Sequence, residues 1–196
     1  MKKVILIGDS TAVGSSVSVG YGPYLREMLA GSAHVFLPVE NCQDTRFTSS
    51  CLTELFYPGL LATADVIHWN NGLWDVLHFL GNPRNVVPLN NYTKLVEKIY
   101  ASLRSVNPEA KIVFATTIPV VEFDADGGSY RKHSEIEEYN AAVKKLFAGR
   151  DIVINDLYEV CKDFDASNWT RDCVHLTDES SRILAERCAS VIEPLL

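Results

Sequence analysis

Apolar runs of strand length alternate with segments of helical spacing along most of the chain. Five runs have the length and the apolar character of buried parallel strands: residues 4–7, 34–37, 66–69, 112–116 and 152–154. Helical spacing lies between and after them: residues 21–29, parts of 48–61, 92–105, 134–147 and 178–192. This alternation predicts an α/β fold in which helices cover both faces of a parallel sheet of about five strands.

Two connections are longer than such a fold requires. Residues 81–91 are rich in proline and asparagine, and residues 118–132 contain an Asp-Ala-Asp-Gly-Gly segment. Both follow predicted strands, so we expect them at the carboxyl edge of the sheet, either as binding loops or as plain surface loops. Neither a repeat nor a linker interrupts the pattern, and we expect one domain over residues 1–196.

The composition limits which partners and which cellular compartment we expect. The 196 residues carry a formal net charge of −7 with no long basic run, so nucleic acid is not an expected partner. The apolar stretches are too short to span a membrane, and the first residues lead into a strand without the pattern of a signal sequence. Five scattered cysteines show neither a C-x-x-C pair nor zinc spacing. They predict reduced thiols and a cytoplasmic location.

A serine ends the first predicted strand. The apolar run stops at Gly8-Asp9-Ser10, small residues follow, and a helical segment comes next. A strand that delivers a serine into a turn exposes its hydroxyl at the sheet edge where open α/β folds bind ligands. Ser10 is therefore a candidate nucleophile. A turn that binds phosphate and a simple strand-to-helix loop are the alternatives.

A nucleophilic serine needs a base, and the base needs a group that orients it. The Asp-x-x-His spacing offers three pairs: Asp65 with His68, Asp75 with His78, and Asp172 with His175. The first pair falls at and within the third predicted strand, where an offset of three turns the side chains to opposite faces. The second follows the third strand and remains an alternative. The third is preferred because a loop before the last helix can carry it over the sheet edge.

An acyl-transfer site also needs donors for an oxyanion. Asn70 and Asn71 follow the third strand and precede Gly72, so a carboxamide N–H can point toward Ser10. Asn-Gly is also a strong turn dipeptide, and turn chemistry alone explains the same residues.

Together these residues resemble the SGNH (GDSL-type) hydrolases. Gly8-Asp9-Ser10 matches the first sequence block of that family, and Asp172-x-x-His175 matches the last, so the resemblance spans nearly the whole chain. It implies a flavodoxin-like three-layer α/β/α sandwich. It also implies that Ser10 is the nucleophile, His175 the general base and Asp172 the group that orients it.

Two other blocks depart from the family pattern. Gln43 stands where a glycine usually precedes an Asp-Thr pair, although its backbone N–H can still serve as an oxyanion donor. The third block reads Asn70-Asn71-Gly-Leu-Trp-Asp instead of Gly-x-Asn-Asp, and is similar to a variant found among these hydrolases. The resemblance thus implies an oxyanion hole of the Ser10 and Gln43 N–H groups and the Asn71 amide, with Asn70 the next choice for the amide.

The expected activity is hydrolysis of a small acyl ester, acetyl first among them, on a carbohydrate or small metabolite. Asn70, Trp74 and Tyr130 are candidates for substrate binding. The chemistry requires neither a cofactor nor a metal, and the expected partner is a small-molecule ester. Acyl transfer to an alcohol is one alternative, and a flavodoxin-like module that binds phosphate or flavin at residues 8–16 is another. Cys42 and Cys173 both lie in predicted site loops. They are either the two halves of a regulatory disulfide or two unrelated thiols.

Overall fold

A computed structural model describes residues 1–54, 59–122, 128–165 and 169–196. The strands within these ranges are β1 (Lys2–Ile7), β2 (Ala33–Phe36), β3 (Val66–Trp69), β4 (His78–Phe79), β5 (Lys111–Ala115), β6 (Ser129–Tyr130) and β7 (Val153–Asn155). The helices are α1 (Ser10–Val13), α2 (Tyr21–Met28), α3 (Thr45–Cys51), α4 (Leu89–Val106), α5 (His133–Phe147), α6 (Leu157–Cys161) and α7 (Asp178–Ile192). Two short 3₁₀ turns cover Leu61–Thr63 and Glu193–Leu195.

Five of the strands form one parallel sheet in the order β2-β1-β3-β5-β7. In the register of this sheet, Ile5 lies opposite Phe36 on one side and Ile67 on the other. The predicted fold class, an α/β sandwich around about five parallel strands, is confirmed. In such a sheet the strands all end at the same edge, which is where the loops after β1 and β3 meet.

Two hydrophobic layers enclose this sheet because successive residues of a strand point to opposite faces. Ile5 and Ile7 pack in the layer that includes residues of α3, α4 and α5. Val4 and Leu6 pack in the opposite layer with residues of α2, α6 and α7. All four side chains are fully buried, so the strand that leads to Ser10 is fixed from both sides.

The predicted elements agree with the structure except at some boundaries. The third predicted helix begins earlier, at Leu89. The helix expected within residues 48–61 is α3, which begins at Thr45 because Asp44 caps it: Oδ1 of Asp44 accepts hydrogen bonds from the N–H groups of Arg46 and Phe47. Residues 55–58 of that predicted segment lie outside the described residues.

A second, two-stranded sheet joins the segment just before the first long connection to the second long connection. His78 pairs with Tyr130, and Phe79 with Ser129, in an antiparallel ladder of β4 and β6. The sequence pattern did not predict this pairing, because two-residue strands carry no periodicity. The Asp-Ala-Asp-Gly part of the connection, residues 124–127, lies outside the described residues.

Within the described ranges, none of the helices combines the length and the apolar character that crossing a bilayer requires.

Candidate active site

Ser10 is the first residue of α1, immediately after the end of β1. Asp9 caps this short helix: its Oδ1 accepts hydrogen bonds from the Thr11 N–H at 2.9 Å and the Thr11 hydroxyl at 2.7 Å. A Cβ at Gly8 would lie 2.6 Å from the Ala12 Cβ, so this close turn requires glycine. The turn from strand to helix therefore holds the Ser10 side chain, only 7% exposed, at the carboxyl edge of the sheet.

A continuous chain of hydrogen bonds joins Ser10 to His175 and Asp172. The Nε2 atom of His175 lies 3.0 Å from the Ser10 Oγ, and its Nδ1 lies 2.7 Å from the Asp172 Oδ2. A carboxylate at Nδ1 favours the tautomer with its proton there, which leaves the Nε2 lone pair facing the serine hydroxyl. This arrangement can remove a proton from Ser10 as Oγ attacks an electrophile.

A tight turn before α7 presents Asp172 and His175 together. An isolated antiparallel bridge between Thr170 and Leu176 closes this turn, and Cys173 has a positive φ of 72°. The Asp172 Oδ1 accepts the His175 N–H at 2.8 Å, so the same carboxylate orients both the ring and the backbone of the histidine. The turn is bound to its surroundings by a hydrogen bond from the Val121 N–H to the Cys173 carbonyl, 2.8 Å long.

Two carboxylates near Ser10 have pKa values shifted in opposite directions. Partial burial alone would raise the pKa of Asp172, but hydrogen bonds from the backbone and ring of His175 hold it below its ordinary value. Complete burial raises the pKa of Asp9, and the hydrogen bonds from Thr11 offset only part of that effect. Asp172 is therefore the ionised partner of the histidine, and Asp9 is the carboxyl that burial makes less acidic.

The other two Asp-x-x-His pairs do not reach Ser10. His68 is fully buried on β3 beside Asn155, while Asp65, just before that strand, binds Lys2 on the surface. His78 is not the base of Ser10 here, because its Nε2 lies 2.7 Å from the Glu135 Oε2.

The predicted oxyanion donors have different surroundings. The Ser10 N–H donates to no group in the described part of the chain, so it is free to donate to a substrate. Gln43 adopts a positive φ of 48°, the conformation that the usual glycine favours. Its N–H donates to the Asn41 Oδ1 at 2.8 Å, so substrate would have to displace Asn41.

Asn71 does not point at the serine, contrary to the prediction. Its side chain is fully buried, and its Nδ2 donates to the Gln43 carbonyl and to the Thr48 hydroxyl, both at 3.0 Å. Its Oδ1 accepts the Trp69 indole N–H at 2.7 Å. Both amide hydrogens are used, so Asn71 braces the loop that carries Gln43 and leaves no donor for an oxyanion.

The tentative substrate residues are also partly engaged. The Asn70 amide donates to the carbonyl of Ala115 at 2.9 Å and is 5% exposed, so it ties the ends of β3 and β5 together. Tyr130 stacks on His78 with ring centroids 4.7 Å apart, which covers one face of its ring. Trp74 is partly exposed after the end of β3 and stays available to a substrate.

Arg131 is a site residue that the sequence pattern missed. It follows β6, and its Nε donates to the Leu73 carbonyl at 2.6 Å, in the loop after β3. Burial lowers its pKa from the ordinary value, and the negative charges of Asp9 and Asp172 oppose that shift. Its hydrogen bond to the loop after β3, the neighbour of β1, places the guanidinium at the same edge of the sheet as Ser10. The only available signal was a basic residue in a long loop at the sheet edge.

The thiols and metal-ligating groups add no further chemistry to this arrangement. Cys42 is buried, and burial raises the pKa of its thiol to about 12; neither it nor Cys173 is in a disulfide. Within the described ranges, no group of three or more His, Cys, Asp or Glu side chains is placed to hold a metal ion.

Solved structures with similar folds include several esterases. An acetyl xylan esterase, AlAXEase, superposes with a TM-score of 0.77 at 19% identity, covering 97% of this chain and 99% of that one. A carbohydrate esterase family 3 protein from Talaromyces cellulolyticus superposes with a TM-score of 0.71 at 18% identity, covering 100% of this chain and 98% of that one. A lipase/acylhydrolase from Enterococcus faecalis has a TM-score of 0.76 at 16% identity, covering 99% of this chain and 96% of that one. At these identities the likeness shows the fold.

The family model assigns the chain at the sequence level. The model of the GDSL-like lipase/acylhydrolase family matches residues 6–183, from β1 into α7. A comparison with curated protein sequences finds no match. The family match includes Ser10, Asp172 and His175, the three residues joined by the hydrogen-bond chain. The chain therefore belongs to the GDSL-like lipase/acylhydrolase family and is a carboxylic ester hydrolase.

Proposed function

We propose that this protein hydrolyses small acyl esters through an acyl-enzyme on Ser10. The observation that carries the proposal is the unbroken hydrogen-bond chain from the Ser10 Oγ through the His175 imidazole to the Asp172 carboxylate. Such a chain activates a hydroxyl that is otherwise a poor nucleophile at neutral pH.

The reaction proceeds in two halves. The Ser10 Oγ attacks the ester carbonyl while the His175 Nε2 takes its proton, and the tetrahedral intermediate collapses as the departing alcohol receives that proton. Water then loses a proton to His175 and attacks the acyl-enzyme, and the second tetrahedral intermediate collapses to the acid as His175 returns that proton to the Ser10 Oγ. Asp172 stabilises the imidazolium in both halves and keeps its own negative charge.

The free N–H of Ser10 is the first donor to the oxyanion in this proposal. Gln43 supplies the second donor when the substrate oxygen replaces the Asn41 side chain as the acceptor of its N–H. Asn71 acts one step removed, since it binds the Gln43 carbonyl and so positions the loop. An oxyanion donor contributes on the order of 10²–10³ in turnover.

The substrate we propose is an acetyl or similarly small ester of a carbohydrate or small metabolite. Two of the similar structures are described as an acetyl xylan esterase and a carbohydrate esterase. The partly exposed Trp74 at the sheet edge supports the same class, because aromatic side chains combine an apolar ring with a polar edge.

A fluorophosphonate probe tests the nucleophile and its base together. We expect mass spectrometry to locate the adduct on Ser10 in the wild type, and no adduct in Ser10→Ala. His175→Ala should lose labelling, whereas His78→Ala should keep it, because His78 faces Glu135 instead of the serine. A folded wild type that does not label at Ser10 would refute the proposal.

Product analysis shows whether water or an alcohol accepts the acyl group. Acetate release from acetylated sugars in water is the expected result, with no increase in acylated product when an alcohol is added. Dominant transfer to the alcohol would show an acyltransferase that uses the same three residues.

A further inference from the structure

Arg131 is a partly buried cation that forms no ion pair among the described residues. Its one hydrogen bond there is from Nε to the Leu73 carbonyl, which leaves both terminal nitrogens of the guanidinium without a protein acceptor. Four other arginines do pair with carboxylates within 4 Å: Arg46, Arg104, Arg150 and Arg171. Withdrawing a guanidinium from water without an anion hydrogen-bonded to it is unfavourable, and the charges of Asp9 and Asp172 offset only part of that cost.

This cation lies at the same edge of the sheet as Ser10. Leu73, its anchor, belongs to the loop after β3, next to β1 in the sheet. Its charge interacts with Asp9, which directly precedes Ser10, and with Asp172, which binds His175. Neither carboxylate forms a hydrogen bond with it. The Asp9 Oδ2 remains without a partner in the described part of the chain.

We propose that Arg131 is a specificity residue that binds a carboxylate carried by the ester substrate, an O-acetylated uronic acid being the type. This inference rests on the proposed function and names its substrate class more narrowly. A planar guanidinium held at Nε presents its two terminal nitrogens as a fork, which matches the two oxygens of a carboxylate. The substrate carboxylate would supply the acceptor that none of the described residues supplies.

A singly charged anion suits the surroundings better than a phosphate dianion. Asp172 contributes a negative charge nearby and the chain carries a net charge of −7, so a dianion would meet more repulsion than a carboxylate. Asp9, whose acidity burial reduces, does not compete for the fork by a direct hydrogen bond.

The test compares two substrates that differ only in charge. Per-O-acetylated glucuronic acid and its carboxamide have nearly the same shape, and acetate release at neutral pH gives kcat/KM for each. We expect the wild type to prefer the acid by about 10- to 100-fold, the range of a charge-assisted hydrogen-bond pair. In Arg131→Gln this ratio should fall to about one, mainly through KM for the acid.

Two further variants separate charge recognition from structural damage. Arg131→Lys keeps the positive charge but loses the fork, so part of the ratio should remain. Arg150→Gln removes the same charge near the opposite edge of the sheet, where Arg150 pairs with Glu97, and should keep the wild-type ratio. If Arg131→Gln does not fold, the wild-type ratio and the Arg131→Lys ratio decide the question.

The outcomes distinguish this inference from the proposed function. A wild type that releases acetate and labels at Ser10 but treats acid and carboxamide alike overturns the role of Arg131 and leaves the esterase intact. An acid preference that persists unchanged in Arg131→Gln overturns it equally. Absence of both acetate release and Ser10 labelling refutes the proposed function, and this inference with it.

Discussion

The His175 Nε2 lies 3.0 Å from the Ser10 Oγ although the two residues are 165 positions apart. The fold explains this contact. Ser10 begins α1 at the end of β1, and His175 lies in the turn before α7, whose neighbour in the fold is α2. Ser18, after α1, donates to the Leu176 carbonyl at 2.8 Å and so fastens the turn of His175 to the segment of Ser10.

Replacing Asp172 by Asn should reduce kcat by about 10⁴-fold while the fold is retained. The amide oxygen can still accept the His175 N–H, but an NH₂ group facing Nδ1 favours the tautomer with its proton on Nε2. That tautomer cannot take the proton of Ser10. Steady-state kinetics and the melting temperature check this prediction, and a loss below about tenfold in a folded variant would contradict the proposed role.

Asn71→Ala should destabilise the protein by about 1–3 kcal/mol, because it leaves buried partners without hydrogen bonds. The Trp69 indole N–H, the Gln43 carbonyl and the Thr48 hydroxyl all lose a partner. Urea unfolding measures the change, with the exposed Asn91→Ala as the control, expected within about 0.5 kcal/mol of wild type. An unchanged stability together with a large loss of turnover would instead favour a direct catalytic role for Asn71.

The contribution of Asp75 to stability should fall as pH rises from about 4 to about 7. Burial raises the pKa of Asp75 to about 7, although its Oδ1 accepts hydrogen bonds from the Thr45 N–H and hydroxyl. Over that interval the folded state holds a proton that the unfolded chain has already lost, so rising pH favours unfolding. Below about pH 4 Asp75 is protonated in both the folded and the unfolded state, and above about pH 7 it is ionised in both.

Asp75→Asn provides the comparison. It cannot titrate, so its unfolding free energy should change less between about pH 5 and about pH 8 than that of wild type, by an amount on the order of a few kcal/mol. Equal pH dependence in the two proteins would show that Asp75 does not titrate in this range.

Gly72→Ala should unfold more easily than wild type by more than about 1 kcal/mol. Gly72 has a φ of 149°, and a Cβ there would lie 2.0 Å from the Thr117 Oγ1. Gly31→Ala is the matched control, since its Cβ would meet nothing within 4 Å, and its stability should stay within about 0.5 kcal/mol of wild type. Thermal melts of both variants measure the difference in stability between them. Equal melting temperatures would show that the backbone at Gly72 accommodates a Cβ without cost.

The sequence predicted those parts of the site that depend on order along the chain. A buried strand must end at its carboxyl edge, so the position of Ser10 follows from the apolar run before it. The Asp172–His175 pair is local, and its Asx-type turn is fixed by its own residues. Bringing this turn to Ser10 takes contacts between distant parts of the chain, such as the hydrogen bond from the Ser18 hydroxyl to the Leu176 carbonyl.

Asn71 and Arg131 show why the rest could not be predicted. The orientation of Asn71 is decided by a hydrogen-bond donor on a buried indole and by a loop 28 residues away, neither of which has a sequence signature. Arg131 reaches the site only because β6 pairs with β4, and strands of two residues leave no periodic pattern. Its sequence neighbours gave no reason to separate it from a solvated loop cation.

Because β4 pairs with β6, Arg131 comes from a different segment of the chain than Ser10 and His175. Ser10 and His175 come from the turns after β1 and before α7, whereas Arg131 is carried by the segment that follows β6. Under the role proposed for Arg131, exchanges in that segment should change which esters are accepted while the hydrogen bond between Ser10 and His175 is kept.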